Sequence, residues 1–199
     1  MRRNIKKLEN YGSEDDPVTI DTFLDENGDV SIFYEGAIAS TIFNGLSSEL
    51  SSIGEYNNAR LFLTSGGGDT AHINCFPFIA KKLRINEVYG VGQVSSAALA
   101  ILLQCKKHGI ETYIDKLCHV MLHRVSTTWV AEERSERIID FTEKWVSSFE
   151  KIFDGINAPL IRKLPADQKK AYKDGNNVYL LGDDLIQMGI IKEFDKKSL

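Results

Sequence analysis

Long apolar runs are missing from this 199-residue chain. The longest apolar-rich stretch, Ala97–Leu103, is far too short to span a bilayer, so no membrane segment is expected. Cysteine is scarce: Cys75, Cys105 and Cys118 make an odd count in a chain of this size, which does not suggest a disulfide scaffold. An excess of positive charge is missing too. With 28 acidic and 24 basic residues the formal net charge is −4, so no global footprint for duplex binding is present and no nucleic-acid partner is expected. The opening MRRNIKKLEN is basic, but no apolar h-region follows it, so no secretory signal is expected and the default location is cytoplasmic. Repeats, low-complexity tracts and linkers between domains are not seen. What remains is ordinary for a soluble globular domain: 43% hydrophobic and 26% charged residues, at a length that suits one domain.

Residues 1–16 mix charges with little apolar content and read as a flexible N-terminal tail ahead of one domain, 17–199. Val18–Leu24 alternates, Asp25–Gly28 supplies turn chemistry and Val30–Tyr34 completes a hairpin. A helix is expected over Ile38–Ile53, a short buried strand over Arg60–Thr64, and then a helical stretch to Leu83 that Pro77 should kink or break. A strand over Val88–Val91, a buried helix over Ser95–Lys107 and strands at Glu111–Asp115 and Cys118–Leu122 follow. Strand, helix, strand, helix, strand points to an α/β fold with a parallel sheet. Ile138, Phe141, Trp145, Phe149 and Ile152 recur every three or four residues, which predicts a long helix over 128–154 whose apolar stripe needs a partner. Pro159 and Pro165 should mark later breaks, before a helix over Gly182–Met188 and a strand at Ile190–Glu193.

Three places carry the chemistry. Gly66, Gly67 and Gly68 follow a strand directly, where glycine permits backbone conformations that side chains forbid and exposed N–H groups form an anion cradle. Taken alone they read first as a plain tight turn. A phosphate loop fails, because no Gly-Lys-Ser/Thr follows and Asp69 would repel phosphate; a dinucleotide fingerprint fails for want of the later glycine. Ser95 and Ser96 stand where a strand passes into a helix. Either could simply cap that helix, or present a hydroxyl to its positive end. His123 ends an alternating run that puts His119, Met121 and His123 on one face and Val120 and Leu122 on the other. All three features lie at strand ends on one edge of a parallel sheet, where α/β active sites form. Backbone donors, a hydroxyl and an imidazole are the set that acyl transfer requires. Cys105, His108, Cys118 and His119 lack zinc-ligand spacing, so neither a metal nor another cofactor is expected.

The arrangement resembles the ClpP family of self-compartmentalising serine peptidases, which share the ClpP/crotonase fold. Its Ser-Pro-Gly-Gly, Gly-Gln-Ala-Ala-Ser and Met-Ile-His-Gln segments correspond to Ser65-Gly66-Gly67-Gly68, Gly92-Gln93-Val94-Ser95-Ser96 and Met121-Leu122-His123-Arg124. Ser96 lies 28 residues beyond Gly68, and His123 lies 27 beyond Ser96. The resemblance spans Ile32 to Lys192 and includes the closing segment Val178-Tyr179-Leu180 through Ile191. It implies a repeated β-β-α superhelix with the 128–154 helix as a protruding handle. It further implies Ser96 as nucleophile, His123 as base, and N–H groups of Gly67 or Gly68 and of Ala97 as the oxyanion hole. The implied activity is endopeptidase cleavage of unfolded polypeptide through an acyl-enzyme. The implied assembly is a homo-oligomeric ring served by an AAA+ unfoldase.

Three departures from the family bear on that reading. Asn177 stands where the family carries its acidic triad member, with Asp174 or the Asp183/Asp184 pair as substitutes. Gly66 replaces the loop proline. Arg124-Val125-Ser126-Thr127-Thr128 replaces a glycine-rich substrate-binding strand. They keep open a catalytically silent ring or assembly subunit, with a crotonase-type acyl-CoA enzyme as a more distant alternative.

Overall fold

The computed structural model describes residues 3–5, 18–39, 41–124 and 136–194. Nine strands and six helices alternate along them. The hairpin expected near the start is present as β2 (Thr19–Leu24) and β3 (Val30–Glu35), paired antiparallel. A short strand β1 (Arg3–Ile5) pairs with β2, so this part of the expected tail is ordered against the sheet. The rest of 1–16 lies outside the described residues.

From β3 the sheet runs parallel through β4 (Ala59–Ser65), β5 (Ile85–Ser95) and β6 (Glu111–Ile114), with β9 (Lys192–Glu193) at its edge. Helices α1 (Thr41–Ile53), α2 (Phe76–Lys82) and α3 (Ala97–Lys107) are the crossovers. Pro77 sits in the first turn of α2, where its missing N–H costs no intrahelical bond. It therefore starts this helix instead of breaking one. The core lies between sheet and helices. Ile20, Ile32, Leu61, Leu63 and Val88 meet Ile42, Leu46, Phe76, Leu99 and Leu102, all with at most 2% exposure. α3 is buried from Ala97 to Cys105, and burial pushes the Cys105 thiol up to about 12.

On the opposite sheet face, the parallel registers Phe33↔Phe62, Phe62↔Tyr89 and Tyr89↔Tyr113 stack four rings in a row. Their centroids are 4.6, 4.7 and 4.9 Å apart, the spacing of hydrogen-bonded strands.

One irregularity positions everything that follows. β5 pairs with β6 up to Gly90, then advances two extra residues against β4, from Leu63↔Gly90 to Ser65↔Val94. Gly92, at φ +64°, turns the chain there. Beyond it Gln93–Ser95 pair with a different strand, β7 (His119–Leu122), which in turn pairs antiparallel with β8 (Val178–Leu181). β5 thus belongs to two parts of the sheet, and its end meets β7, β8 and the loop after β4.

The long helix α4 is described over Glu136–Lys163. Residues 128–135, the first part of the expected helix, lie outside the described residues. The helix continues past 154 and carries Pro159 inside it, so Pro159 does not end it as expected. Proline clashes with the carbonyl four residues back, and here that residue is Gly155. Phe153, Ile156, Leu160 and Leu164 bury on both sides of Pro159, and this packing outweighs local propensity. Pro165 begins a further helix, α5 (Ala166–Lys173), which the sequence pattern did not disclose. The closing helix α6 (Gly182–Gln187) leads into β9. No helix among the described residues is long and apolar enough to cross a membrane.

Candidate active site

Ser96 stands between β5 and α3 with φ 52° and ψ −118°. Left-handed φ is uncommon in any residue but glycine, so this backbone is strained. The surroundings hold it: the Ser96 N–H donates to the Met121 carbonyl at 2.8 Å, and its carbonyl accepts the first α3 bond from Ala100. Although Ser96 occupies the helix N-cap, its side chain makes no capping bond. Instead Oγ lies 2.7 Å from His123 Nε2. The plain capping role is thereby displaced. A hydroxyl on a strained strand-to-helix turn, within hydrogen-bond distance of an imidazole, is the geometry of an activated nucleophile.

His123 lies just past the end of β7. Alternation along that strand buries Val120 and Leu122 and leaves His119, Met121 and His123 on the other face, as the sequence pattern predicted. Desolvation holds the His123 pKa below the ordinary 6.5, while a hydrogen bond with the Arg124 backbone pulls more weakly the other way. The neutral imidazole, the form that accepts a proton, therefore persists at lower pH than in a free histidine. An unfolded chain takes up that proton first as pH falls. This group's contribution to stability is thus intact above about pH 6.5 and declines below it.

The glycine loop is folded against both. Ser65 Oγ, buried at the end of β4, accepts the Gly67 N–H at 3.1 Å and donates to the Gly67 carbonyl at 3.3 Å. Ile38 clamps the next residue from the other side: its N–H donates to the Gly67 carbonyl and its own carbonyl accepts the Asp69 N–H, each at 2.7 Å. These bonds engage the N–H groups of Gly67 and Asp69. The Gly68 N–H, and that of Ala97 at the first position of α3, have no acceptor among the described residues. A Cβ on Gly67 would sit 2.7 Å from Ser96 Cβ, which measures how closely the loop approaches the serine. Between the two N–H groups that sequence left open, the geometry favours Gly68 as the donor available to a ligand. A cavity of about 440 Å³, lined in part by Glu35, Thr64 and Gln93, opens beside the loop.

Asn177 is not hydrogen-bonded to His123. Its Nδ2 donates to the Tyr179 hydroxyl at 3.1 Å, and both side chains are exposed. Its backbone is nevertheless well placed. The β7–β8 ladder ends at Leu122↔Val178, so Asn177 lies one residue before β8 and His123 one residue past β7, both next to the last paired position. Asp174 is instead paired with Lys170 at 2.6 Å, Asp183 accepts from Gln187 at 2.5 Å, and Asp184 accepts the Leu181 N–H at 2.8 Å. His72 packs edge-on against Phe43 and stands 4.0 Å from Asp69, beside the loop but outside the Ser96–His123 pair.

Two contributors escaped the sequence reading. Ser65 was visible only as the first residue of the glycine motif. Ile38 acts through its backbone, for which no sequence signal exists.

The fold is α/β and ClpP-like. A solved structure, ClpP1 from Listeria monocytogenes in a form carrying one Asn-to-Asp mutation, is similar in fold, with TM-score 0.60 at 18% identity, covering 84% of this chain and 92% of that one. No family model matches the sequence, and no curated protein matches it either.

Proposed function

We propose that this chain is a serine endopeptidase acting on unfolded polypeptide as a subunit of a self-compartmentalising ring. The observation that carries the reading is the 2.7 Å contact between Ser96 Oγ and His123 Nε2, on a strained turn beside two N–H groups without acceptors among the described residues. In this reading Ser96 Oγ attacks the scissile carbonyl carbon while its proton passes to His123 Nε2. The oxyanion that forms is held by the Gly68 and Ala97 N–H groups. Collapse breaks the C–N bond, His123 gives the proton to the leaving amine, and an acyl-enzyme remains. Water, deprotonated by His123, then hydrolyses it. The extended handle helix, with Ile152 exposed, supports assembly with further copies, and an AAA+ unfoldase would supply the unfolded substrate.

A fluorophosphonate probe tests this. The assembled protein should form a stoichiometric adduct on Ser96, and the Ser96→Ala variant none. A folded, assembled protein without an adduct at Ser96 would overturn the reading.

The rate should follow deprotonation of His123. Burial lowers that pKa, so the acid limb of the labelling rate is expected below pH 6.5, measured as rate against pH.

The pairing of Asn177 with Tyr179 favours a second reading, a weak or silent ring subunit. An amide on the imidazole supplies no charge to stabilise imidazolium, and an Asp-to-Asn change in another triad costs about 10⁴ in rate. Asn177→Asp is therefore expected to raise the acylation rate at least tenfold. It should also move the acid limb to higher pH, since a carboxylate near His123 favours the charged ring. A silent subunit would show neither change.

A further inference from the structure

We infer that the cavity between α3 and α4, remote from Ser96, binds the C-terminal end of a peptide whose last residue is apolar. The cavity encloses about 530 Å³, within the range of small-ligand sites. Three features of its wall each answer one part of such a ligand. Leu103, Ile156, Pro159 and Ile190 supply an apolar floor for the terminal side chain.

Four cations stand around that floor, and no carboxylate does among the described residues: Lys106 and Lys107 close α3, and Arg162 and Lys163 close α4. The Lys106 and Lys163 ammonium groups donate to the Ile190 and Met188 carbonyls, which fixes them at the wall and leaves each two further N–H donors. Lys107 and Arg162 have no ion-pair partner among the described residues. This cluster fits a terminal carboxylate.

The third feature separates a peptide from a simple fatty acid. Gln104 lines the cavity at 4% exposure, and its Nε2 donates to Asn74 Oδ1 at 2.7 Å. Its Oε1 is buried with no partner. A buried acceptor without a donor is costly, and once the Gln104 side chain turns toward the cavity the backbone N–H of a peptide's last residue is the donor it lacks.

Gly155 gives access to a test. It lines the cavity within α4, and a Cβ there would meet nothing within 4 Å, so Gly155→Leu fills the space without a backbone clash. The experiment is calorimetric titration of the full chain with acetyl-Ala-Ala-Leu-Leu as the free acid, with its C-terminal amide, and with decanoate. The free acid should bind at least tenfold more tightly than the amide, which lacks the charge, and than decanoate, which lacks the N–H. Gly155→Leu and, independently, Arg162→Glu should each weaken it tenfold or more. Equal binding of acid and amide, or of peptide and decanoate, overturns the inference. So does binding that survives both variants, which would place the peptide elsewhere, or no binding of the free acid at all.

Discussion

Ser96→Gly is expected to abolish acylation yet leave the protein more stable than Ser96→Ala, a reversal of the usual order. Both changes remove the hydroxyl 2.7 Å from His123, so both lose the nucleophile, and the rate should fall by at least about 10³. They differ in backbone. Alanine keeps a Cβ at φ 52°, where a non-glycine residue carries about 1–3 kcal/mol of strain. Glycine adopts that region freely. Its greater unfolded-state entropy costs about 0.5–1 kcal/mol, so a net advantage of about 1 kcal/mol remains, or roughly 2–4 °C in melting temperature for a chain of this size. Thermal denaturation of the two variants reads it directly. A lower melting temperature for the glycine variant would mean that the turn is not strained.

Gly68→Ala should cost most in stability, and much of the activity with it. A Cβ there would lie 2.3 Å from the Ile38 carbonyl oxygen and 2.9 Å from its nitrogen, and the residue has φ +141°. Both obstacles are backbone atoms, so neither can move aside as a flexible side chain would. The loop must leave Ile38, and the paired bonds that Ile38 makes to Gly67 and Asp69 go with it. A loss of about 3–5 kcal/mol is expected, at the severe end of single substitutions. The Gly68 N–H would move as well. Losing one oxyanion donor elsewhere costs about 10²–10³ in rate, and a similar fall in acylation is expected. Gly66→Ala is the control. Its φ is not left-handed and its nearest Cβ neighbour is 3.9 Å away, so stability and labelling should stay near wild type. Urea titration and probe labelling of the two variants separate these outcomes.

Much of this geometry was legible beforehand, for identifiable reasons. Strand and helix periodicities depend on local sequence, so the β2–β3 hairpin, β4, α3 and β7 appeared close to their observed bounds. Glycine after a strand and serine before a helix are local signals as well, and they located the loop and Ser96. The burial of α3 followed from its unbroken apolar run. Proline gave the weakest guidance. Pro77 opens a helix and Pro159 lies inside one, because the cost of a proline depends on its position in the turn and on packing around it. The first part of the handle, 128–135, lies outside the described residues.

By itself the sequence determined the α/β alternation, the order of glycine loop, serine and histidine, and the absence of an acid at Asn177. All of these are properties of neighbours along the chain. Only the tertiary structure decided which groups meet. The two-residue advance of β5 against β4 sends Ser96 toward His123. The hydroxyl of Ser65 takes up the Gly67 N–H, that of Gly68 has no acceptor among the described residues, and Ile38 clamps the loop from 30 residues away. The β7–β8 register sets Asn177 and His123 beside the last paired position, Leu122↔Val178, while the Asn177 amide rests on Tyr179. Contacts between distant segments depend on strand register and on backbone hydrogen bonds. Those bonds are made by groups that every residue shares, so residue identity along the chain leaves no mark of them.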